Sequence, residues 1–423
     1  MVSKKFLNKK SIKLKELGEN LIPELAQTAA KKPSQFSETF SPVFLQSGNG
    51  AMVKDLEGNQ LLDTIMSIGP LILGYNHPNT NNAIINQLKN GIIFSLVNSL
   101  EINLALELKK TIPNMDMFRF SKTGADSTSA AVRAARNFTQ KNSIISCGYH
   151  GWHDWNAISL NNNSGVPFFN DRLITKVQYN NFEQIMDSMN SDTAAIIMEP
   201  MVFEYPKRNY LQKIRKVTKE KKILLIFDEM WTGFRLSPGG AQKYFKIDAD
   251  LACYSKAIAN GMPLSVLAGK KKIINSLNEK SFFYTTFGGE TLSIAAAIST
   301  IKFIKKYSVC KKIQIKGLKL QKNLNEIVMK NNINFLQITG YGSRCLFLIS
   351  HEKSQDIKTF IHQEMLLDGI LWNGIINLSY SHKIKDINKI CKVFDRICKK
   401  IKLIGADKLV NNIKGKIIKK LLI

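Results

Sequence analysis

Five short apolar runs, separated by stretches of helical character, constrain the middle of this chain more than any other feature. They read SIISC (143–147), AAIIM (194–198), ILLIF (223–227), LACYS (251–255) and SVLAG (265–269). Each is strand-sized, and none shows the alternation of a strand with one wet face. Continuously apolar strands are buried on both sides, an arrangement that helices connecting parallel strands provide. The expected fold class is therefore α/β, a mainly parallel sheet covered on both faces. In such sheets ligands sit beyond the carboxyl ends of the strands. Chemistry is thus expected from the residues that follow each run.

Those residues are distinctive. SIISC is followed by Gly148-Tyr149-His150-Gly151-Trp152-His153-Asp154, AAIIM by Glu199-Pro200, ILLIF by Asp228-Glu229 and LACYS by Lys256. Ahead of the first run, KTGADSTSAAVRAAR (122–136) opens a helix on a glycine, where backbone N–H groups suit a phosphate. Singly, each feature has an ordinary explanation. A lysine after a strand is usually a solvated surface residue. An FDE strand end also occurs at metal-binding or Walker-B-like carboxylates and at solvated turns. Asp126 or Ser127 would cap a helix with no phosphate present. His150, His153 and Asp154 invite a metal reading, but no further ligand stands at a recognised spacing. Trp152 and Trp155 would suit a core.

Taken together, a lysine, an aspartate, an aromatic ring and a helix N-terminus match what one cofactor requires. Pyridoxal 5'-phosphate needs a lysine amine for its aldehyde and an aspartate for its pyridine nitrogen. It also needs a flat partner for its ring and backbone donors for its phosphate.

At this point the chain resembles the class-III aminotransferases, pyridoxal-phosphate enzymes of fold type I. Within them it is most similar to the glutamate-1-semialdehyde 2,1-aminomutase-like branch. The supporting strings are VKDLEGNQLLD (53–63), SIGPLILGYNHP (67–78), KTGADSTSAAVRAAR (122–136), GYHGWHD (148–154), IIMEP (196–200), LLIFDEMWTGFR (224–235), YSKAIANGMPLSVLAG (254–269) and TTFGGETLSIAAA (285–297). The resemblance is good over about residues 40 to 300 and looser beyond. It implies a large cofactor-binding domain of mainly parallel sheet with a smaller α+β domain. It also implies roles by position. Lys256 would carry the cofactor and shuttle the proton, Asp228 would hold the pyridine nitrogen, and Tyr149 would stack on the ring. Gly124 and Ala125 would form the phosphate loop, and Thr286 (or Thr285, if the register slips) would reach the phosphate from a neighbouring subunit. Glu199 and His150 would lie beside the cofactor. Met230 stands where a small branched residue usually packs on the ring.

The departures fall where substrate is expected. Thr123-Gly124-Ala125-Asp126 replaces the usual Ser-Gly-Thr-Glu, and Ser67-Ile68-Gly69-Pro70 replaces Ser-Trp-Gly-Pro. Gly289-Glu290-Thr291 replaces Gly-Asn-Pro, and 369–387 lacks the usual acidic gating residue. The implied function is amino transfer from an amino-acid donor to a keto or aldehyde acceptor by a ping-pong route. The alternative is an intramolecular 2,1-aminomutase. A basic binding protein on an abandoned cofactor fold is a third reading, against which Lys256, Asp228 and Tyr149 argue. Arg235 is a weak candidate for holding a substrate carboxylate, set against a structural ion pair.

Composition bounds the rest. The 423 residues allow two to three domains. The expected division is 1–60 as an N-terminal arm and hairpin joined to the small domain, 61–305 as the large domain and 306–423 as the C-terminal small domain. Residues 1–30 read as one or two basic amphipathic helices, and 43–63 as a hairpin turning at Gly58-Asn59. The net charge of +27 raises nucleic acid as a partner. No aromatic-basic motif supports that partner, and the lysines crowd the ends, at Lys4, Lys5, Lys9, Lys10, Lys13 and Lys15 and at Lys414, Lys416, Lys419 and Lys420. A lysine-biased surface is the expectation. The six cysteines include no CxxC pair, and no apolar run is long enough to span a bilayer. The expectation is a cytoplasmic homodimer with a shared active site, acting on small amines and carbonyls and using no metal.

Overall fold

The computed structural model describes residue 6 and residues 9–167 and 173–420, the side chains of 9 and 278–280 excepted. Lys4, Lys5 and the Lys9 side chain, part of the N-terminal lysine cluster, lie outside the described residues. The chain divides into two compact units, one of residues 1–77 with 312–422 and one built on residues 78–311. In chain order the strands are β1 (Leu45–Asn49), β2 (Met52–Asp55), β3 (Gln60–Asp63), β4 (Met117–Ser121), β5 (Ser143–Cys147), β6 (Ile174–Lys176), β7 (Thr193–Met198), β8 (Leu224–Asp228), β9 (Leu251–Tyr254), β10 (Ser265–Gly269), β11 (Leu336–Tyr341), β12 (Arg344–Ile349), β13 (Ile370–Leu371) and β14 (Ile375–Asn377).

In the second unit a seven-stranded sheet runs β4-β10-β9-β8-β7-β5-β6. The strands β9, β8, β7, β5 and β6 are parallel, while β10 is antiparallel to both its neighbours. The five apolar runs are β5, β7, β8, β9 and β10, and β7 to β10 are buried at every position. β4 and β6 escape the sequence pattern because they lie at the two edges. One is half-buried MFRFS and the other a three-residue ITK. The helix Gly124–Thr139 lays Ala130, Ala131, Ala134 and Ala135 on Ile197, Ile226, Leu251 and Leu267 of the sheet. Four alanines at helical spacing let this helix approach the sheet closely, which fixes its N-terminus near the strand ends. Ile226 and Ile197 are completely buried. Truncating either to alanine would cost about 2–5 kcal/mol.

The first unit holds two small sheets, β1-β2-β3-β13 and β11-β12-β14. β2 and β3 form the expected hairpin, with Gly58 at φ +92° in its turn. The helix Ile384–Ile404 buries Ile387, Ile390, Phe394, Ile397 and Ile401 along one face, where Phe347 and Trp372 complete the core. The N-terminal stretch differs from the sequence reading. One helix, Lys9–Glu19, is followed by three single turns of 3-10 geometry at Pro23–Leu25, Ala29–Lys31 and Pro33–Gln35. Pro23 and Pro33 lack an N–H and start turns that cannot extend a preceding helix. No helix among the described residues is long and apolar enough to cross a membrane.

Candidate active site

The second unit gathers the sequence-predicted residues at the carboxyl ends of its strands. Asp228 is the last residue of β8 and is almost fully buried. Its Oδ1 accepts the Met230 N–H at 3.0 Å, and its Oδ2 lies 2.8 Å from His150 Nδ1. A carboxylate has about four lone-pair sites, so this one keeps acceptor capacity beyond those two partners. His150 is itself buried, and its Nε2 has no hydrogen-bond partner among the described residues. The ring lies parallel to Trp155 (interplanar angle 8°), and the His150 carbonyl accepts the Thr128 hydroxyl at 2.6 Å.

Tyr149 is half-exposed beside this pair, and its phenol is pushed above the ordinary 10 by burial and then by the charge of Asp228. Its backbone N–H donates to Glu199 Oε1 at 3.2 Å, which ties the residues after β5 to the residue after β7. Gly148, at φ +117°, makes that approach possible, since a Cβ there would sit 2.8 Å from Glu199 Oε1.

The helix that begins at Gly124 is capped by Thr123, whose hydroxyl accepts the Asp126 N–H while Asp126 accepts the Thr123 N–H at 2.7 Å. Thr123 thus takes the cap expected of Asp126 or Ser127, and Asp126 completes the reciprocal half of a capping box. The Gly124 and Ala125 N–H groups, the first two of the helix, have no acceptor among the described residues. Their surroundings are tight. A Cβ at Gly124 would lie 2.8 Å from Met230 Sδ, and one at Gly151 would lie 2.7 Å from the Ala125 Cβ. Met230 therefore packs on the helix start as well as donating to Asp228.

Lys256 follows β9 with φ +49°, a left-handed conformation uncommon for a non-glycine residue. Its Nζ stands 3.8 Å from the Trp231 ring centroid, within cation–π range. Thr286 makes no hydrogen bond to this cluster among the described residues. It is exposed on the 286–289 turn, beside Thr285, whose carbonyl accepts the Gly288 N–H.

Several neighbours of the site were not legible as such. Trp231 stands in the quoted DEMWTGFR string, yet no pattern marks its ring as the platform for Lys256. Thr128 holds His150 across 22 residues of sequence. Glu229 is completely buried, and burial pushes its carboxyl up to about 7 although Ala241, Gln242 and Thr232 all donate to it. Of the two tryptophans that would suit a core, Trp155 packs against it, but Trp152 is 71% exposed. Arg235 is buried at 1% exposure and so is not presented to solvent. The described residues contain no group of three metal-ligating side chains.

Comparisons with known proteins bear on this geometry. A sequence model described as aminotransferase class-III matches residues 34–383. A glutamate-1-semialdehyde 2,1-aminomutase of Methanococcoides burtonii is 35% identical over 314 residues, covering 70% of this chain and 74% of that one. A 3-aminobutyryl-CoA aminotransferase of Cloacimonas acidaminovorans is 34% identical over 334 residues, covering 77% and 80%. Among solved structures, the pyridoxal-phosphate-bearing FumI protein of Sphingopyxis sp. MTA144 shares the fold, with a TM-score of 0.87 at 23% identity over 93% of this chain and 97% of that one.

Proposed function

Because the chain belongs to the class-III aminotransferases, we propose that the cluster around Asp228 is its active site and that its substrates are an amino-acid donor and a keto or aldehyde acceptor, used in turn. As a member of that family it is a pyridoxal 5'-phosphate enzyme of fold type I. The residues present fit that group. Two N–H groups without an acceptor among the described residues open the Gly124–Thr139 helix where a Cβ would crowd, which suits a phosphate. Asp228 is buried with acceptor capacity left for a ring N–H, and His150 Nε2 is a buried polar atom with no partner among the described residues.

Bound there, the cofactor supplies an electron sink for charge developing beside the amine nitrogen. The protein's contribution is to hold and to move protons. We assign Asp228 to the ring nitrogen, with His150 and the Met230 N–H fixing the carboxylate's orientation. Tyr149 is assigned to the ring face, Gly124 and Ala125 to the phosphate, and Glu199 to support of the Tyr149 backbone. Lys256 is assigned as the amine that carries the cofactor and then takes and returns the proton at its Nζ, steadied by the Trp231 ring. The observation that carries the assignment is the buried His150–Asp228 pair, which joins the residues after β5 to the end of β8.

A homodimer with Thr286 serving the partner's phosphate is the accompanying proposal. Around Thr286 the chain exposes Phe282, Tyr284 and Phe287, and the neighbouring 92–97 segment exposes Phe94, Leu96 and Val97. The two stretches are tied by the Thr291 N–H donating to the Ile92 carbonyl at 2.9 Å. So large an apolar face is typical of an interface. A cytoplasmic location is proposed from the six cysteines, all unpaired. An aminomutase outcome is the second reading, favoured by the 35% identity to the Methanococcoides burtonii protein.

A donor screen on the cofactor-loaded enzyme tests the assignment. One or more amino acids should convert the cofactor's absorbance to that of its aminated form; no conversion by any donor would refute it. Glutamate-1-semialdehyde given alone separates the two outcomes, since only a mutase forms 5-aminolevulinate without an added donor.

A further inference from the structure

The unit built on residues 78–311 holds a cavity of about 470 Å³ whose wall includes none of the residues assigned to the cofactor. That volume lies in the range of small-molecule sites, about 300–1,000 Å³. Three kinds of group meet in its wall: the guanidiniums of Arg133 and Arg136, the indole of Trp152 and the carboxylate of Asp154.

The arginines come from the helix Gly124–Thr139, three residues apart and therefore neighbours on its surface. Arg133 Nη1 donates to the Phe282 carbonyl at 2.6 Å, and Arg136 Nε donates to the Asn142 carbonyl at 2.7 Å. Those bonds hold the two planar forks in place. A guanidinium has five N–H groups, so each keeps four for other partners. Neither forms a salt bridge with a described carboxylate. Arg136 is half-buried, and burial pushes its guanidinium below the ordinary value against the weaker pull of Asp192. Two neighbouring like charges, one of them partly out of water, are relieved by an anion that both can grip.

The indole is also held. Trp155 Nε1 donates to Ser129 Oγ at 2.8 Å, and Ser129 Oγ lies 2.7 Å from His153 Nδ1. This chain fixes the His153 ring. Trp152 stands edge-on to it, with ring centroids 5.1 Å apart and an interplanar angle of 82°. His153 therefore covers at most one face of the indole, which is otherwise largely exposed. A large flat ring left open in the same wall as two guanidiniums is a stacking platform. Asp154, exposed and in no salt bridge among the described residues, adds an acceptor. A bare anion would be repelled by that carboxylate, whereas sugar hydroxyls or a base amino group would donate to it.

We propose that this cavity binds a nucleoside monophosphate, its phosphate gripped by Arg133 and Arg136 and its base stacked on Trp152. The proposal goes beyond the amino-transfer reading and does not rest on it, because its test measures binding and not turnover.

The test is calorimetric titration of the full-length, cofactor-loaded protein, so that the cofactor's own phosphate site is occupied. The probes are adenosine 5'-monophosphate, adenosine, ribose 5-phosphate and inorganic phosphate. The nucleotide should bind saturably and at least about ten-fold more tightly than each of the other three. Trp152→Ala removes an exposed ring and should weaken the nucleotide about ten-fold or more, the worth of one stacked base, while leaving ribose 5-phosphate unchanged. Arg133→Gln, also at an exposed position, should weaken the nucleotide and ribose 5-phosphate alike, by about ten-fold for one charge-assisted contact, and leave adenosine unchanged. Both variants should keep the cofactor absorbance of wild type, which separates loss of the cavity from loss of the fold. A nucleotide that binds no more tightly than ribose 5-phosphate, no saturable binding, or wild-type affinity in either variant would each overturn the proposal.

Discussion

Glu229→Gln isolates one term of the molecule's pH dependence. Glu229 is completely buried beneath Asp228, and burial, with a lesser contribution from the Asp228 charge, outweighs three hydrogen-bond donors. The carboxyl is thereby pushed up to about 7 from an ordinary 4.5. Below the unfolded value both states hold the proton, and the stabilising contribution is fully present. As pH rises the unfolded chain ionises first, and the contribution is lost as pH passes through the folded value. At about 1.4 kcal/mol per pH unit, the gap between 4.5 and about 7 is worth about 3 kcal/mol, of which some 2–3 kcal/mol falls between about pH 5 and pH 8. Glutamine is neutral throughout and removes this term. Three of the four tryptophans, Trp152, Trp155 and Trp231, lie in the unit that holds Glu229, so urea unfolding followed by tryptophan fluorescence reports mainly on it. The stability of wild type relative to Glu229→Gln should fall by about 2–3 kcal/mol across that range. A constant difference, or one that grows with pH, would refute the reasoning.

Other substitutions probe the site directly. Gly151→Ala puts a Cβ at φ +112° and 2.7 Å from the Ala125 Cβ. The displaced helix start should weaken cofactor binding by about ten-fold or more, read by absorbance titration, for a cost of about 1–3 kcal/mol. His150→Ala leaves Asp228 Oδ2 without its 2.8 Å partner and should cost about 1–3 kcal/mol in urea unfolding. Tyr149→Phe should leave the pH profile of kcat unchanged up to about pH 9, because burial and the Asp228 charge keep the phenol neutral there. Loss of an alkaline limb in that variant would contradict this.

The parts of the fold written in continuous apolar runs were legible, because a strand buried on both faces leaves no polar position. The edge strands were not. MFRFS is only partly buried, and ITK offers three residues with one buried. Residues 1–30 read as one or two helices; one forms, Lys9–Glu19, and Pro23 starts a short turn after it. Within the site, Asp228, Lys256 and Tyr149 were found by position after a strand, a rule that uses sequence order alone. Thr128 and Trp231 depend on where side chains point, which order does not specify. Thr123 as the cap was within reach, since Thr123 and Asp126 stand three residues apart as a capping box requires.

Lys256 is the residue proposed to carry the cofactor. Borohydride treatment of the loaded enzyme fixes a lysine-linked pyridoxal phosphate irreversibly, and peptide mass mapping then locates it. The label should appear on the peptide containing Lys256 and vanish in Lys256→Ala. Labelling of a different lysine, or label retained in Lys256→Ala, would contradict the central assignment.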